Sequence, residues 1–84
     1  MNTRKIELSE DERDLLLQHK YYLSDDVLEK IKRAKNTDGY YTLVVSCLDL
    51  ENIIGNVSML SNHEDNPQAS MNLNDLAEHL EVYL

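Results

Sequence analysis

The apolar positions of this chain change period several times, and each change marks an element. From Thr3 to Leu8 they alternate, with Ile6 and Leu8 on one side and Lys5 and Glu7 on the other, the pattern of a strand with one buried face. Ser9-Glu10-Asp11-Glu12 follows as a capping box: the Ser9 hydroxyl can accept from the Glu12 amide while the Glu12 carboxylate reaches back to the Ser9 amide. A first helix runs from there to Gln18 or Lys20, and the consecutive Leu15, Leu16 and Leu17 predict contacts on two of its sides. Ser24-Asp25-Asp26 opens a second helix in the same way, with Val27, Leu28, Ile31 and Ala34 recurring at helical spacing.

Asn36-Thr37-Asp38-Gly39 reads as a turn, because Asn, Asp and Gly accept the backbone conformations that turns require. Tyr40–Ser46 is the clearest strand, with Tyr41, Leu43 and Val45 on one face and Tyr40, Thr42 and Val44 on the other. Both faces carry apolar residues, so deeper burial is expected here than in the first strand. Ser46 and Asp49 cap a third helix reaching about Ser61, with Leu50, Ile53, Ile54, Val57 and Leu60 as its core stripe. Gly55 sits mid-helix away from that stripe, on the side of Leu48 and Met59. A glycine there costs about 1 kcal/mol relative to alanine, which predicts close approach of another backbone, from this chain or a second copy. After the polar connection Asn62-His63-Glu64-Asp65, Asn66-Pro67 reads as a cap followed by proline in the first helical turn. Ala69, Leu73, Leu76, Leu80 and Tyr83 then form a continuous seam; Asn72 and Asn74 leave open a later start near Ser70.

The order is therefore β-α-α-β-α-α. An isolated strand pair is marginal in water, so the helices must cover it. The expected fold is α+β, a small two-stranded sheet packed by about four helices, in one domain over residues 1–84. Strand sense stays open.

Composition narrows the function classes. Eighty-four residues, 42% hydrophobic and with tyrosine as the only aromatic, support one small aliphatic core. Net charge is −8, and its distribution says more than its sum. Residues 1–35 hold eight acids and all eight bases, whereas residues 36–84 hold eight acids and neither lysine nor arginine. The second half repels phosphate, which argues against nucleic acid or an anionic membrane as partner and leaves a basic protein surface open. No apolar run approaches the roughly 18 residues of a membrane span. Cys47 stands alone, so no intrachain disulfide forms, and the stretch from Met1 to Glu7 lacks the apolar region of a secretory leader. Together these predict a cytoplasmic protein.

Candidate chemistry is sparse. Cys47 near a histidine could form a nucleophilic pair, but at a strand–helix junction beside Leu48 it reads as a small apolar residue. His63-Glu64-Asp65, with His79 or Asp75, could bind a metal, yet structural sites need four ligands at defined spacing. Asp75 and His79, four apart on a helix, read as an exposed surface pair. Lys30, Lys32, Arg33 and Lys35 complement the carbonyl end of the second helix. No glycine-rich loop cradles a phosphate, and no cofactor is implied. An acyl-carrier reading fails for want of a serine in an Asp-Ser-Leu context and because a strand interrupts the helices.

The segments Ile6-Glu7-Leu8-Ser9 with Glu12-Arg13-Asp14-Leu15-Leu16, and Leu43-Val44-Val45-Ser46 with Asp49-Leu50-Glu51-Asn52-Ile53-Ile54-Gly55-Asn56-Val57 and Asn62-His63, resemble a family of small bacterial α+β domains of unassigned function. The connection after His63 is acidic here, whereas it tends to be basic in that family. The resemblance implies bacterial origin and a compact module, and it brings no catalytic residues.

The expectation is a non-enzymatic interaction module, self-associating or binding a basic protein. Its surface would be the outer side of the third helix, Leu48, Gly55 and Met59, with Asp75 and Glu78 of the last helix. Two alternatives come from other classes. One is a metal-dependent regulator or small enzyme using His63, His79 or Cys47; the other is an antitoxin-like or DNA-mimicking inhibitor.

Overall fold

Four side-chain caps divide the chain where the sequence places them. A computed structural model describes residues 2–84; Met1, part of the opening stretch assessed above for a leader, lies outside the described residues. Strand β1 (Thr3–Ser9) leads into α1 (Glu10–Gln18), and both halves of the capping box form: Ser9 Oγ accepts from the Glu12 amide at 3.2 Å and Glu12 Oε1 accepts from the Ser9 amide at 2.8 Å. A 3₁₀ turn (Lys20–Tyr22) precedes α2 (Asp25–Arg33), which Ser24 caps. Strands β2 (Asn36–Thr37) and β3 (Tyr40–Ser46) follow, then α3 (Cys47–His63) and α4 (Pro67–Glu81). Ser46 caps α3 at 3.0 Å, and Asn66 Oδ1 accepts from both Gln68 and Ala69, which fixes the start of α4 at Pro67 rather than Ser70. The third helix continues two residues beyond Ser61.

Among the described residues the sheet has three strands, not the expected two, in the order β1-β3-β2, with both pairs antiparallel. The correction lies in Asn36-Thr37-Asp38-Gly39. Its first two residues pair with Tyr41 and Tyr40, and only Asp38 and Gly39 turn, at φ +53° and +87°. Positive φ at both central residues of a two-residue connection is the turn whose twist suits a hairpin, and Asp-Gly is a favoured pair for it. Asn36 Oδ1 braces the loop by accepting from the Gly39 amide.

The helices cover the sheet face that carries Ile6, Leu8, Leu43 and Val45, all buried. Leu16 of α1, Val27 and Ile31 of α2, Leu50, Ile53, Ile54 and Val57 of α3, and Leu73, Leu76, Ala77 and Leu80 of α4 complete one core. The opposite sheet face is more open, with Tyr40 49% and Val44 51% exposed, but its Thr42 is half-buried where Lys5 and Glu7 of β1 are exposed, so β3 is somewhat more buried than β1. The openness of that face comes from layering, since every helix packs on the same side. Helices α3 and α4 form an antiparallel hairpin closed by a reciprocal clasp, in which Ser61 Oγ donates to the Ser70 carbonyl and Ser70 Oγ to the Ser61 carbonyl, at 2.9 and 2.8 Å.

The C-terminal turn folds back on the outer edge of β1. His79 Nε2 donates to the Glu7 carbonyl at 2.9 Å, the Tyr83 hydroxyl accepts from the Glu7 amide at 3.4 Å, and Arg4 Nε donates to the Tyr83 carbonyl at 2.9 Å. One edge of the sheet is thus occupied by polar groups from the other end of the chain.

Candidate protein-interaction surface

The outer side of α3 follows from helical geometry. Leu50, Ile53, Ile54 and Val57 point to the core, so Leu48, Gly55 and Met59 point away from it. Leu48 is 67% and Met59 40% exposed. Apart from its own helix backbone, no heavy atom of the described residues lies within 4 Å of the position a Gly55 Cβ would take, so no other element among them approaches there. The expected close approach within the chain is absent because Gly55 faces solvent, opposite the packed stripe.

Asp75 and Glu78 are both exposed on α4 but serve different surroundings. Glu78 accepts a long 3.4 Å hydrogen bond from Asn74 on its own helix. Asp75 lines a groove of about 510 Å³ between α1 and α4. The groove has an apolar floor of Leu15, Ala69 and Leu76, with Gln18 and Asn72 on its walls. Its rim holds Asp11, Glu12, Asp14 and Asp75, and no base among the described residues lines it. Asp11 and Glu12 on the α1 side are there for a local reason, since carboxylates in a first turn complement the positive end of the helix dipole. Two of the rim acids are engaged: Glu12 in the capping box, and Asp14 in a loose 3.9 Å pair with Arg13. Asp11 and Asp75 have no ion-pair partner among the described residues, and they leave the groove negative.

His79 is not the partner of Asp75 that the four-residue spacing suggests. Its ring turns to β1, where Nε2 binds the Glu7 carbonyl, while Nδ1 stands 3.9 Å from Glu12 Oε2 and the ring packs edge-on against Tyr83 at 5.5 Å. A carbonyl can only accept, so Nε2 carries the proton. Sequence spacing could not reveal this contact, which joins residues 72 apart.

The remaining chemistry candidates lie dispersed. Cys47, half-buried, opens α3 and donates its amide to the Asn2 carbonyl; His63 is exposed at the far end of that helix. Among the described residues, no three His, Cys, Asp or Glu side chains gather as a metal site would require. In the basic stretch of α2, Lys30 pairs with Asp26 at 3.2 Å and Arg33 with Glu29 at 2.9 Å, each one turn back. Lys32 and Lys35 have no acidic partner among the described residues.

Arg13 adds a feature the sequence did not disclose. Its guanidinium lies 4.5 Å above the Tyr41 ring, and its buried Nε has no hydrogen-bond partner among the described residues. Stacking on an aromatic face gives a partly desolvated guanidinium a favourable contact beside its loose pair with Asp14. It locks α1 against β3.

Among the described residues, no helix is long and apolar enough to cross a membrane. Compared with known proteins, the chain matches no family model, no curated protein and no solved structure.

Proposed function

We propose that this chain is a non-enzymatic interaction module of the bacterial cytoplasm, and that its α1–α4 groove receives a basic amphipathic helix of a partner protein. The observation that carries the reading is the groove itself: an apolar floor of Leu15, Ala69 and Leu76 beneath a rim of four carboxylates, with no base among the described residues. Apolar floor and charged rim ask for two different things of one ligand. Leucine-type side chains on one helical face would fill the floor, and lysines or arginines flanking them would meet Asp11, Asp14 and Asp75. The lysine-free second half of the chain supports the same sign of partner, because it repels anions at long range and attracts cations. The lone Cys47 agrees with a reducing compartment.

Calorimetric titration with a two-heptad leucine/lysine helix peptide tests the proposal. Binding should weaken steadily as salt rises, because rim charges are screened over about 8–10 Å at moderate ionic strength. The combined variant Asp11→Asn, Asp14→Asn, Asp75→Asn should bind roughly tenfold more weakly, three exposed pairs contributing a few tenths of a kcal/mol each. Equal affinity of the variant and the parent would reject the groove as the site.

Self-association through Leu48, Gly55 and Met59 is the second reading, favoured by the exposure of both apolar side chains on one helix face. Light-scattering mass decides it: a monomer at low and at high salt removes it.

A further inference from the structure

We infer that the free edge of β3 at Val44 accepts an extended, acidic segment of a partner protein by strand addition, at a surface distinct from the α1–α4 groove. The direction of the backbone groups carries the argument. The Glu7 amide and carbonyl bind Tyr83 and His79, so they point away from β3. Hydrogen-bonding direction alternates along an antiparallel ladder, so Lys5 also points outward, and the opposed Val44 does not spend its polar groups on β1. The Cys47 amide bonding to the Asn2 carbonyl fits the same alternation from the other end of the pair. The Val44 amide and carbonyl therefore point to the β2 side. There β2 ends at Asn36, opposite Tyr41, and no β2 residue stands across from Val44.

The two sheet edges are treated differently by this fold. The β1 edge is covered by His79, Tyr83 and Arg4, as natural sheets cover edges that would otherwise recruit strands. The β3 edge opens instead into a shallow depression lined by Thr42 and Val44, with Lys30, Arg33 and Lys35 along its other wall. A backbone donor and acceptor pair beside an exposed valine is the equipment of strand addition, in which main-chain bonds hold the segment and flanking side chains select it. The selecting charge is positive, because Lys35 has no acidic partner among the described residues, so the incoming strand carries aspartate or glutamate. A second copy is the poorer occupant: two β3 edges paired about Val44 would bring the Arg33 and Lys35 walls of both copies together.

Amide chemical shifts of the full chain, titrated with an end-capped octapeptide alternating valine and glutamate, test this. Saturable shifts of the Val44 and Ser46 amides are expected, with the Glu7 amide unmoved and the matching valine/lysine peptide without effect at Val44. Lys35→Glu should weaken the acidic peptide roughly fivefold, the size of one exposed charge pair reversed, and Lys35→Arg should retain binding. Unchanged Val44 and Ser46 shifts, equal effect of the lysine peptide there, or full affinity in Lys35→Glu overturns the inference. A Val44 shift that grows with protein concentration and no peptide also overturns it, in favour of a second copy.

Discussion

His79 holds together parts of the chain that local pattern cannot connect. Its Nε2–H to the Glu7 carbonyl is a solvent-exposed hydrogen bond tying α4 to the edge strand. Replacing it with alanine leaves that carbonyl without its donor, at a cost of about 1 kcal/mol. In a domain of this size that lowers Tm by roughly 4–8 °C, and His79→Gln, whose amide can donate from a similar reach, should recover part of the loss. An unchanged Tm in His79→Ala would mean the contact contributes nothing in solution. Gly55 gives the opposite expectation. The space beside it is open and its backbone is helical, so Gly55→Ala should stabilise the chain by about 0.5–1 kcal/mol through a smaller loss of backbone entropy. Thermal melts check this too; a lower Tm, or a loss of self-association, would place another backbone against that position. Gly39 differs again. At φ +87° an alanine there is strained whatever the space around it, and Gly39→Ala should destabilise the hairpin.

At the scale of elements, the local signals held wherever a motif spans three or four residues. Ser9, Ser24, Ser46 and Asn66 each cap a helix as their spacing indicated, because a cap is decided by a side chain and amides two or three positions on. The core stripes of α2, α3 and α4 were readable for a similar reason: Val27 and Ile31, Leu50 and Ile53, Leu73 and Leu76 repeat at the helical period and are buried. Strand β2 escaped because two residues have no alternation to detect, although Asp38-Gly39 carried the hairpin signal. The groove was half legible. Asp75 could be named from its charge, but its neighbours Asp11 and Asp14 belong to a helix about sixty residues earlier, which only packing brings alongside. The Ser61–Ser70 clasp was hidden for the same reason, and it makes a prediction at this scale. Ser61→Ala and Ser70→Ala each remove one of two mutually supporting bonds, so each should cost about 1 kcal/mol and the pair less than the sum. Strict additivity in denaturant midpoints would show that the two bonds act separately.

Across the whole molecule the charge asymmetry acquires a shape. Asp11, Glu12 and Asp14 of α1 join Asp75 of α4 on one groove, while Lys35, just past the end of α2, stands beside the β3 edge with the ion-paired Lys30 and Arg33. A chain with eight acids and eight bases in its first 35 residues is therefore not neutral everywhere in that half; it divides its charge between two surfaces. The outer sheet face also leaves Tyr40 and Val44 exposed. Thin reserves accompany this design. A domain of such length holds roughly 4–12 kcal/mol in all, so a single core truncation such as Leu80→Ala, costing about 2–5 kcal/mol, should bring unfolding close to physiological temperature.

The reading of the α1–α4 groove as a receptor for a basic helix is tested most directly by mapping amide shifts of the full chain against the leucine/lysine helix peptide. The account predicts saturable changes concentrated at Leu15, Gln18, Asn72, Asp75 and Leu76, on the two facing helices, fading as salt is added. Changes confined to Leu48, Gly55 and Met59, or none up to about millimolar peptide, would contradict it.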